Sequence, residues 1–144
     1  MLAELLVATA MVCATVLIHG WGLAILGRWL DDDSDAREIR WGSTQAMVFT
    51  MAMAIGIFVL HGVEIWLYAA LYHAIGAVPD LRTAVYFSTS TYGAIGFGDA
   101  AIADAWRLLG SIEGINGILL IGWSTAFFVT FITKFRTEHR KRHK

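Results

Sequence analysis

The stretch TAVYFSTSTYGAIGFGD, residues 83–99, decides how the rest of the chain is interpreted. Its first part, Thr83 to Tyr92, has the amphipathic pattern of a half-length helix. In the residues that follow, up to Asp99, Gly96 and Gly98 alternate with apolar residues. Alternating glycines let the backbone pass between left-handed and right-handed conformations, so that successive carbonyl oxygens can face one side. The pattern predicts a carbonyl-lined segment that can replace the water shell of a cation.

The composition is that of a membrane protein with a single domain. Of the 144 residues, 57% are hydrophobic and 16% are charged, whereas charged residues make up about a quarter of a typical soluble domain. Irregular backbone at membrane depth persists only where it is buried in protein or lines a wet cavity. The one cysteine, Cys13, lies in an apolar run, which excludes an intrachain disulfide.

Three apolar stretches exceed the length of about 20 residues that crosses a bilayer. They are Leu2 to Gly27, Thr44 to Gly76 and Trp106 to Lys134. We interpret the first as a retained helix rather than a cleaved signal peptide, because its start lacks a positive region and its apolar run is long. The predicted fold is therefore an all-α membrane protein with three transmembrane helices and one re-entrant half-helix.

The polar segments predict the connections between these helices. Residues 28–43 read as a loop or a short surface helix, and the acidic run from Asp31 to Asp35 lacks the spacing of a calcium loop, so a solvated charge run is preferred. Pro79 and Asp80 mark the entry to the half-helix, since proline suits a helix start and Asp is a favoured N-cap.

The basic residues predict the topology. If the half-helix enters and leaves on one side, the loop at 28–43 and the C-terminal tail share the other side. Nine of the eleven Lys and Arg residues lie there, and only Arg82 and Arg107 lie opposite. The positive-inside rule then places the tail in the cytoplasm and the N-terminus outside. The basic tail is also a candidate contact for anionic lipids.

Ionisable residues inside the apolar stretches are candidates for function. His61 and Glu64 lie three residues apart, on one helix face. We favour hydrogen bonds to the neighbouring half-helix or to headgroup water, with Glu64 near the membrane interface. The alternative is a proton or metal carrier that uses His19 as well. In the last stretch, Gly117 and Gly122 are close-packing or hinge positions.

Residues 86–99 resemble the pore helix and selectivity filter of the potassium-channel superfamily. The segment WRLLGSIEGINGILLIG, residues 106–122, is similar to the inner helix of small bacterial channels. The resemblance covers about residues 44–134. It divides the chain into an N-terminal helix and cytoplasmic loop (1–43), a pore domain (44–134) with pore helix 83–92, filter 94–98 and inner helix 106–134, and a basic cytoplasmic tail (135–144).

The resemblance implies a homotetramer in a bacterial inner membrane that conducts K⁺, with no cofactor and no nucleic-acid partner. Each chain would supply one filter strand, and no catalytic motif points to an enzyme. The residues that it assigns are Ala94, Ile95, Gly96, Phe97 and Gly98 in the filter, Asp99 at the outer mouth, Gly117 and Gly122 as gating hinges, and Thr125 and Val129 in the inner vestibule.

One departure from the family bears on ion selectivity. Gly93 and Ala94 occupy the positions where the family usually has two threonines. Ala94 keeps the carbonyl but lacks the hydroxyl that contributes to the innermost ion site, so Ala94→Thr is expected to raise selectivity for K⁺ over Na⁺. Two alternatives follow, a weakly selective or Na⁺-permeable channel and a pore-fold sensor or assembly subunit that does not conduct.

Overall fold

The structure, a computed structural model, consists of four α-helices in the parts of the chain that it describes, residues 1–36, 43–96 and 101–142. Side chains are described for residues 1–29, 43–96 and 101–133. The helices are α1 (Leu2–Ala36), α2 (Thr44–Ala74), α3 (Leu81–Tyr92) and α4 (Arg107–Arg142), with a short 3₁₀ turn at Asp104–Trp106 before α4. The all-α fold is confirmed.

Three of the four helices are long and apolar enough to cross a membrane. Their spans are Leu2–Trp29 in α1, Thr44–Ala74 in α2 and Asp104–Thr133, which comprises the 3₁₀ turn and most of α4. The short helix α3 lies between the second and third spans in sequence and packs on both α2 and α4. This order is the one predicted from residues 83–99.

Two helices extend beyond their apolar stretches. The segment from Arg28, expected to be a loop or a short surface helix, is helical in its first part, where it continues α1 to Ala36. The tail expected from residue 135 is also helical, since α4 continues to Arg142. Neither extension contains Gly or Pro, the two residues that most disfavour a helix interior. The side chains of the acidic run from Asp31 to Asp35 lie outside the described part of the chain.

The first helix packs on its own chain. One face of α1 is buried against α2 and α4. The buried residues on this face recur at spacings of four and seven, as on one side of a helix, and are Glu4, Ala8, Thr15, His19 and Leu23. The opposite face carries exposed Leu6, Leu17, Trp21 and Ile25, as expected where a helix meets lipid. The sequence alone left open whether this helix packs on its own or on a neighbouring chain.

Asp80 begins the short helix, as predicted. Its carboxylate accepts hydrogen bonds from the Thr83 amide at 3.0 Å and the Thr83 hydroxyl at 2.7 Å. The Thr83 amide first, and then its hydroxyl, hold the pKa of the Asp80 carboxyl below its usual value. The charged carboxylate also favours the positive end of the helix dipole, so α3 begins at a fixed residue.

Candidate functional site

The backbone that leaves α3 changes handedness from one residue to the next. Ala94 and Gly96 have φ angles of 54° and 69°, and Ile95 between them has no positive φ. The amides of Ile95 and Gly96 both donate to the Ser90 carbonyl oxygen, at 2.8 and 3.3 Å. The segment is therefore held to the last turn of α3 in an irregular conformation, which is what the alternating pattern predicted.

The first left-handed residue is an alanine, although the sequence suggested that glycines would supply this conformation. An L-residue in the left-handed region costs about 1–2 kcal/mol, because Cβ approaches the following carbonyl oxygen. Residues 93–96 are exposed in the single chain. Phe97, Gly98 and Asp99 lie outside the described residues, and ion binding by residues 94–98 stays a prediction.

Glycines on one face of α4 let α3 approach closely. A Cβ added at Gly110 would lie 3.1 Å from the Phe87 ring, and one added at Gly114 would lie 3.3 Å from the Thr91 carbonyl oxygen. At Gly117 an added Cβ would overlap the Tyr92 carbonyl oxygen. These glycines are four and three residues apart, so they lie on one helix face. The same spacing in the sequence could have identified Gly110 and Gly114, which the sequence analysis missed.

The remaining inner-helix candidates face outward in the single chain. Thr125 and Val129 are exposed, and the Thr125 hydroxyl donates to the Ile121 carbonyl oxygen at 2.8 Å. A Cβ added at Gly122 would meet no atom within 4 Å. The hinge role of Gly117 and Gly122 and the vestibule role of Thr125 and Val129 stay predictions.

A buried carboxylate supports α3 from the side of α4. Glu113 accepts hydrogen bonds from the Tyr72 hydroxyl and the Ser88 hydroxyl, each at 2.5 Å. Tyr72 lies on α2 and Ser88 on α3, and Glu113 and Ser88 are both 0% exposed. This group ties the short helix to both neighbouring helices, and nothing in the sequence spacing indicated it.

A second polar cluster surrounds Glu64 and joins all four helices. One Glu64 oxygen lies 2.8 Å from Nδ1 of His19 on α1, and the other accepts from the hydroxyl of Tyr92, the last residue of α3. Nδ1 of His61 lies 2.8 Å from the Tyr92 hydroxyl and 3.3 Å from Glu64. Nε2 of His19 lies 3.1 Å from the Ser124 hydroxyl on α4.

This cluster confirms one expectation about His61 and Glu64. The pair does hydrogen-bond to the neighbouring short helix, through Tyr92. Glu64 is 0% exposed, and its partner His19 lies in the second half of the α1 span Leu2–Trp29. The depth of Glu64 in the membrane, near the interface by residue counting along α2, stays a prediction.

A third group links α1 to the centre of the bundle. The Asn116 side-chain amide donates to the Thr15 hydroxyl at 2.8 Å and lies 3.3 Å from the Tyr68 hydroxyl. All three side chains are at most 2% exposed. This group contains no residue of α3 and joins the three long helices to one another. The two carboxylate clusters hold α3 itself, directly from α2 and α4 and, through Glu64, from His19 on α1.

The comparisons with known proteins agree with this arrangement. A family model described as "Ion channel" matches residues 46–134, which include α2, α3, the segment after it and most of α4. No curated protein and no solved structure matches the chain. Because the family model covers more than half of the residues, the chain belongs to this ion channel family, whose members carry a pore domain of the two-transmembrane potassium-channel type.

Proposed function

We propose that this integral membrane protein is a homotetrameric cation channel that conducts K⁺ through rings of backbone carbonyls from residues 94–98. The observation that carries the proposal is the change of backbone handedness at Ala94, Ile95 and Gly96, directly after the capped helix α3. Only such a backbone can direct successive carbonyls toward one axis, where they replace the hydration shell of an ion. The function is transport and requires no catalytic group.

Four chains are needed because one chain supplies one filter strand. Residues 93–96 and the apolar side chains of α4 support this, since both are exposed in the single chain. The exposed residues of α4 include Ile115, Ile118, Leu119 and Trp123. Four copies around one axis would bring the carbonyls into rings and cover part of this apolar face. Phe97 and Gly98 would complete the rings, and Asp99 would lie at the outer mouth.

A weakly selective or Na⁺-permeable channel is the second candidate function. Ala94 is the observation that favours it, because its side chain offers no hydroxyl to the innermost ion site. The carbonyl rings of residues 94–97 still form three complete coordination sites for a desolvated ion, whereas the fourth site lacks half of its oxygen ligands. Under the leading proposal three complete sites suffice for K⁺ selectivity, and under the second they do not.

The orientation in the membrane belongs to the same proposal. The N-terminus lies outside and the basic tail lies in the cytoplasm of a bacterial inner membrane, as the distribution of Lys and Arg favours. Anionic headgroups would then meet the tail, where each basic residue contributes about 1 kcal/mol to attraction. Lys134 and the five Lys and Arg residues of the tail (Arg136, Arg140, Lys141, Arg142 and Lys144) supply this charge.

Ion flux from liposomes tests the proposed function. Purified protein is reconstituted with K⁺ inside and Na⁺ outside, and proton uptake through an ionophore is followed with a pH dye. Flux that stops when Na⁺ replaces K⁺ inside is the expected result. Equal flux with both ions would favour the weakly selective channel. No flux from confirmed tetramers would favour the sensor or assembly subunit and contradict conduction.

Gly96→Ala is expected to abolish flux, because Gly96 has a φ of 69° and an alanine Cβ there would strain the backbone that directs the carbonyls. Two matched controls separate filter geometry from general effects. Gly76→Ala imposes the same strain at a φ of 67° outside the filter, and Gly62→Ala adds a Cβ that meets no atom within 4 Å. Both controls should retain flux. Wild-type flux in Gly96→Ala would contradict the filter assignment.

A further inference from the structure

The cluster around Glu64 brings together two imidazoles and a carboxylate that the pore does not use. His19, His61 and Glu64 each offer one ligand atom, and these atoms all lie within 4.8 Å of one another. The closest separations are 2.8 Å between Glu64 and Nδ1 of His19 and 3.3 Å between Glu64 and Nδ1 of His61. Ligand atoms about 2.0–2.1 Å from a tetrahedral zinc ion lie about 3.3 Å apart. Small side-chain rotations would therefore create a metal site.

The charges of the cluster favour a bound cation. Glu64 is 0% exposed, and the buried residues in the described part of the chain include no Lys or Arg. A buried carboxylate is costly unless a cation and hydrogen-bond donors compensate it. A divalent metal ion can supply that positive charge. The mixture of imidazole and carboxylate ligands is the one that zinc and similar transition metals prefer.

The surroundings also match a metal site. Nε2 of His19 lies 3.1 Å from the Ser124 hydroxyl, and a metal-binding imidazole usually holds such a partner on its other nitrogen. The Tyr92 hydroxyl donates to the second oxygen of Glu64, which is the oxygen 3.3 Å from Nδ1 of His61. The first oxygen lies 2.8 Å from Nδ1 of His19, so a metal ion between these two atoms would replace their hydrogen bond. The side chain of His61 is 15% exposed, whereas those of His19 and Glu64 are 0% exposed, so His61 is the most accessible of the three ligands.

We propose that His19, His61 and Glu64 of each chain bind one divalent transition-metal ion of the Zn²⁺ class. The site shares no residue with the proposed ion pathway at residues 94–98. It would cross-link α1 to α2. Through the hydrogen bond between Glu64 and Tyr92, it would also connect both helices to the last residue of α3. Metal binding would then fix the first helix against the end of the pore helix and stabilise the fold.

Zinc binding by purified protein tests the site. The protein carries no histidine tag, the tail residues His139 and His143 are replaced by alanine in every sample, and metal is removed with a chelator first. Affinity is measured by competition with a zinc dye, and stability by thermal unfolding with and without Zn²⁺. The expected results are one Zn²⁺ per chain and a melting temperature that rises with Zn²⁺ and falls back with chelator.

The variants His61→Asn and Glu64→Gln keep polar groups of similar shape but remove strong ligands. Both should lose most zinc affinity and the zinc-dependent rise in melting temperature, while Ser124→Ala should weaken binding about tenfold. His73→Ala is the matched control, since His73 is exposed on the same helix as His61, and it should bind as the wild type does. Circular dichroism identifies variants that remain folded.

Two results would overturn the proposal. One is the absence of zinc binding in the wild type. If the melting temperature then responds to pH but not to Zn²⁺, the cluster binds a proton rather than a metal ion. The other is wild-type zinc affinity in folded Glu64→Gln and His61→Asn, which would place the bound metal elsewhere in the chain.

Discussion

At the residue scale, Ala94 combines two properties that conflict. Its φ of 54° is a conformation that L-residues rarely adopt, and its methyl group replaces the hydroxyl that the family usually has there. Thr89 and Thr91 precede it in the sequence, yet neither takes this position. Under the proposed function, a side chain at 94 must therefore suit the ion site as well as the backbone conformation.

Substitutions at Ala94 should separate stability from selectivity. Ala94→Gly is expected to stabilise the protein by about 1 kcal/mol, because glycine adopts a positive φ without strain. Ala94→Thr is expected to raise K⁺ over Na⁺ selectivity but to lower the melting temperature, since a β-branched residue is strained at this φ. Thermal unfolding and reversal potentials measure the two effects. A permeability ratio unchanged by threonine would count against a role of the missing hydroxyl.

At the element scale, the short helix α3 is defined by what packs around it. Asp80 caps its start, and Ser88 on its side donates a hydrogen bond to Glu113 of α4. Its last residue, Tyr92, donates a hydrogen bond to Glu64 of α2. The glycine face of α4 then lets the backbone of α3 approach without intervening side chains. A helix of 12 residues is marginal when isolated, so this packing is what stabilises it.

The same packing predicts different effects for the two glycines that were hinge candidates. Gly117→Ala should destabilise the protein by about 1–3 kcal/mol, because its Cβ would overlap the Tyr92 carbonyl oxygen and force α3 away. Gly122→Ala on the same helix meets no atom of its own chain within 4 Å and should leave the melting temperature equal or slightly higher. Equal destabilisation by both substitutions would show that close packing at Gly117 is unimportant.

At the scale of the whole molecule, the first helix is tied to the last near their first residues. Glu4 on α1 accepts hydrogen bonds from the backbone amides of Leu108 and Leu109, at 2.7 and 3.2 Å. These amides belong to the first turn of α4, where no carbonyl of the same helix is available. Glu4 thus acts as an N-terminal cap supplied by another helix, and its negative charge favours the helix dipole.

Removing this cap should loosen the association of α1 with the pore domain. Glu4→Ala is expected to cost about 1–2 kcal/mol, because the part-buried Leu108 amide and the buried Leu109 amide lose their partner. Glu4→Gln keeps an accepting oxygen and loses only the charge, so its cost should be smaller, about 0.3–1 kcal/mol. Thermal unfolding ranks the variants, and hydrogen exchange at the start of α4 locates the effect. A glutamine variant as unstable as the alanine variant would show that the charge, rather than the hydrogen bonds, is decisive.

The sequence by itself determined the features that depend on neighbours along the chain. Apolar length predicted the three spans, Asp80 predicted the start of the short helix, and Gly96 predicted one of the two left-handed residues after Tyr92, the other being Ala94. These features follow from hydrophobic burial and backbone conformation, which act over a few residues. The continuation of α1 to Ala36 and of α4 to Arg142 was not predicted. The charged residues that follow the first and last apolar stretches were interpreted as the ends of the membrane helices.

The tertiary structure alone decided which distant side chains meet. His19 and Glu64 are 45 residues apart, and Glu4 and Leu108 are 104 apart, so no local pattern links them. The angle and offset at which long helices pack determine such pairs, and a one-residue shift along a helix would change every one of them. The pairing of His19 with Glu64 therefore depends on the packing of α1 against α2 and α4. A buried carboxylate needs hydrogen-bond donors, and the packing determines which donors lie within hydrogen-bond distance.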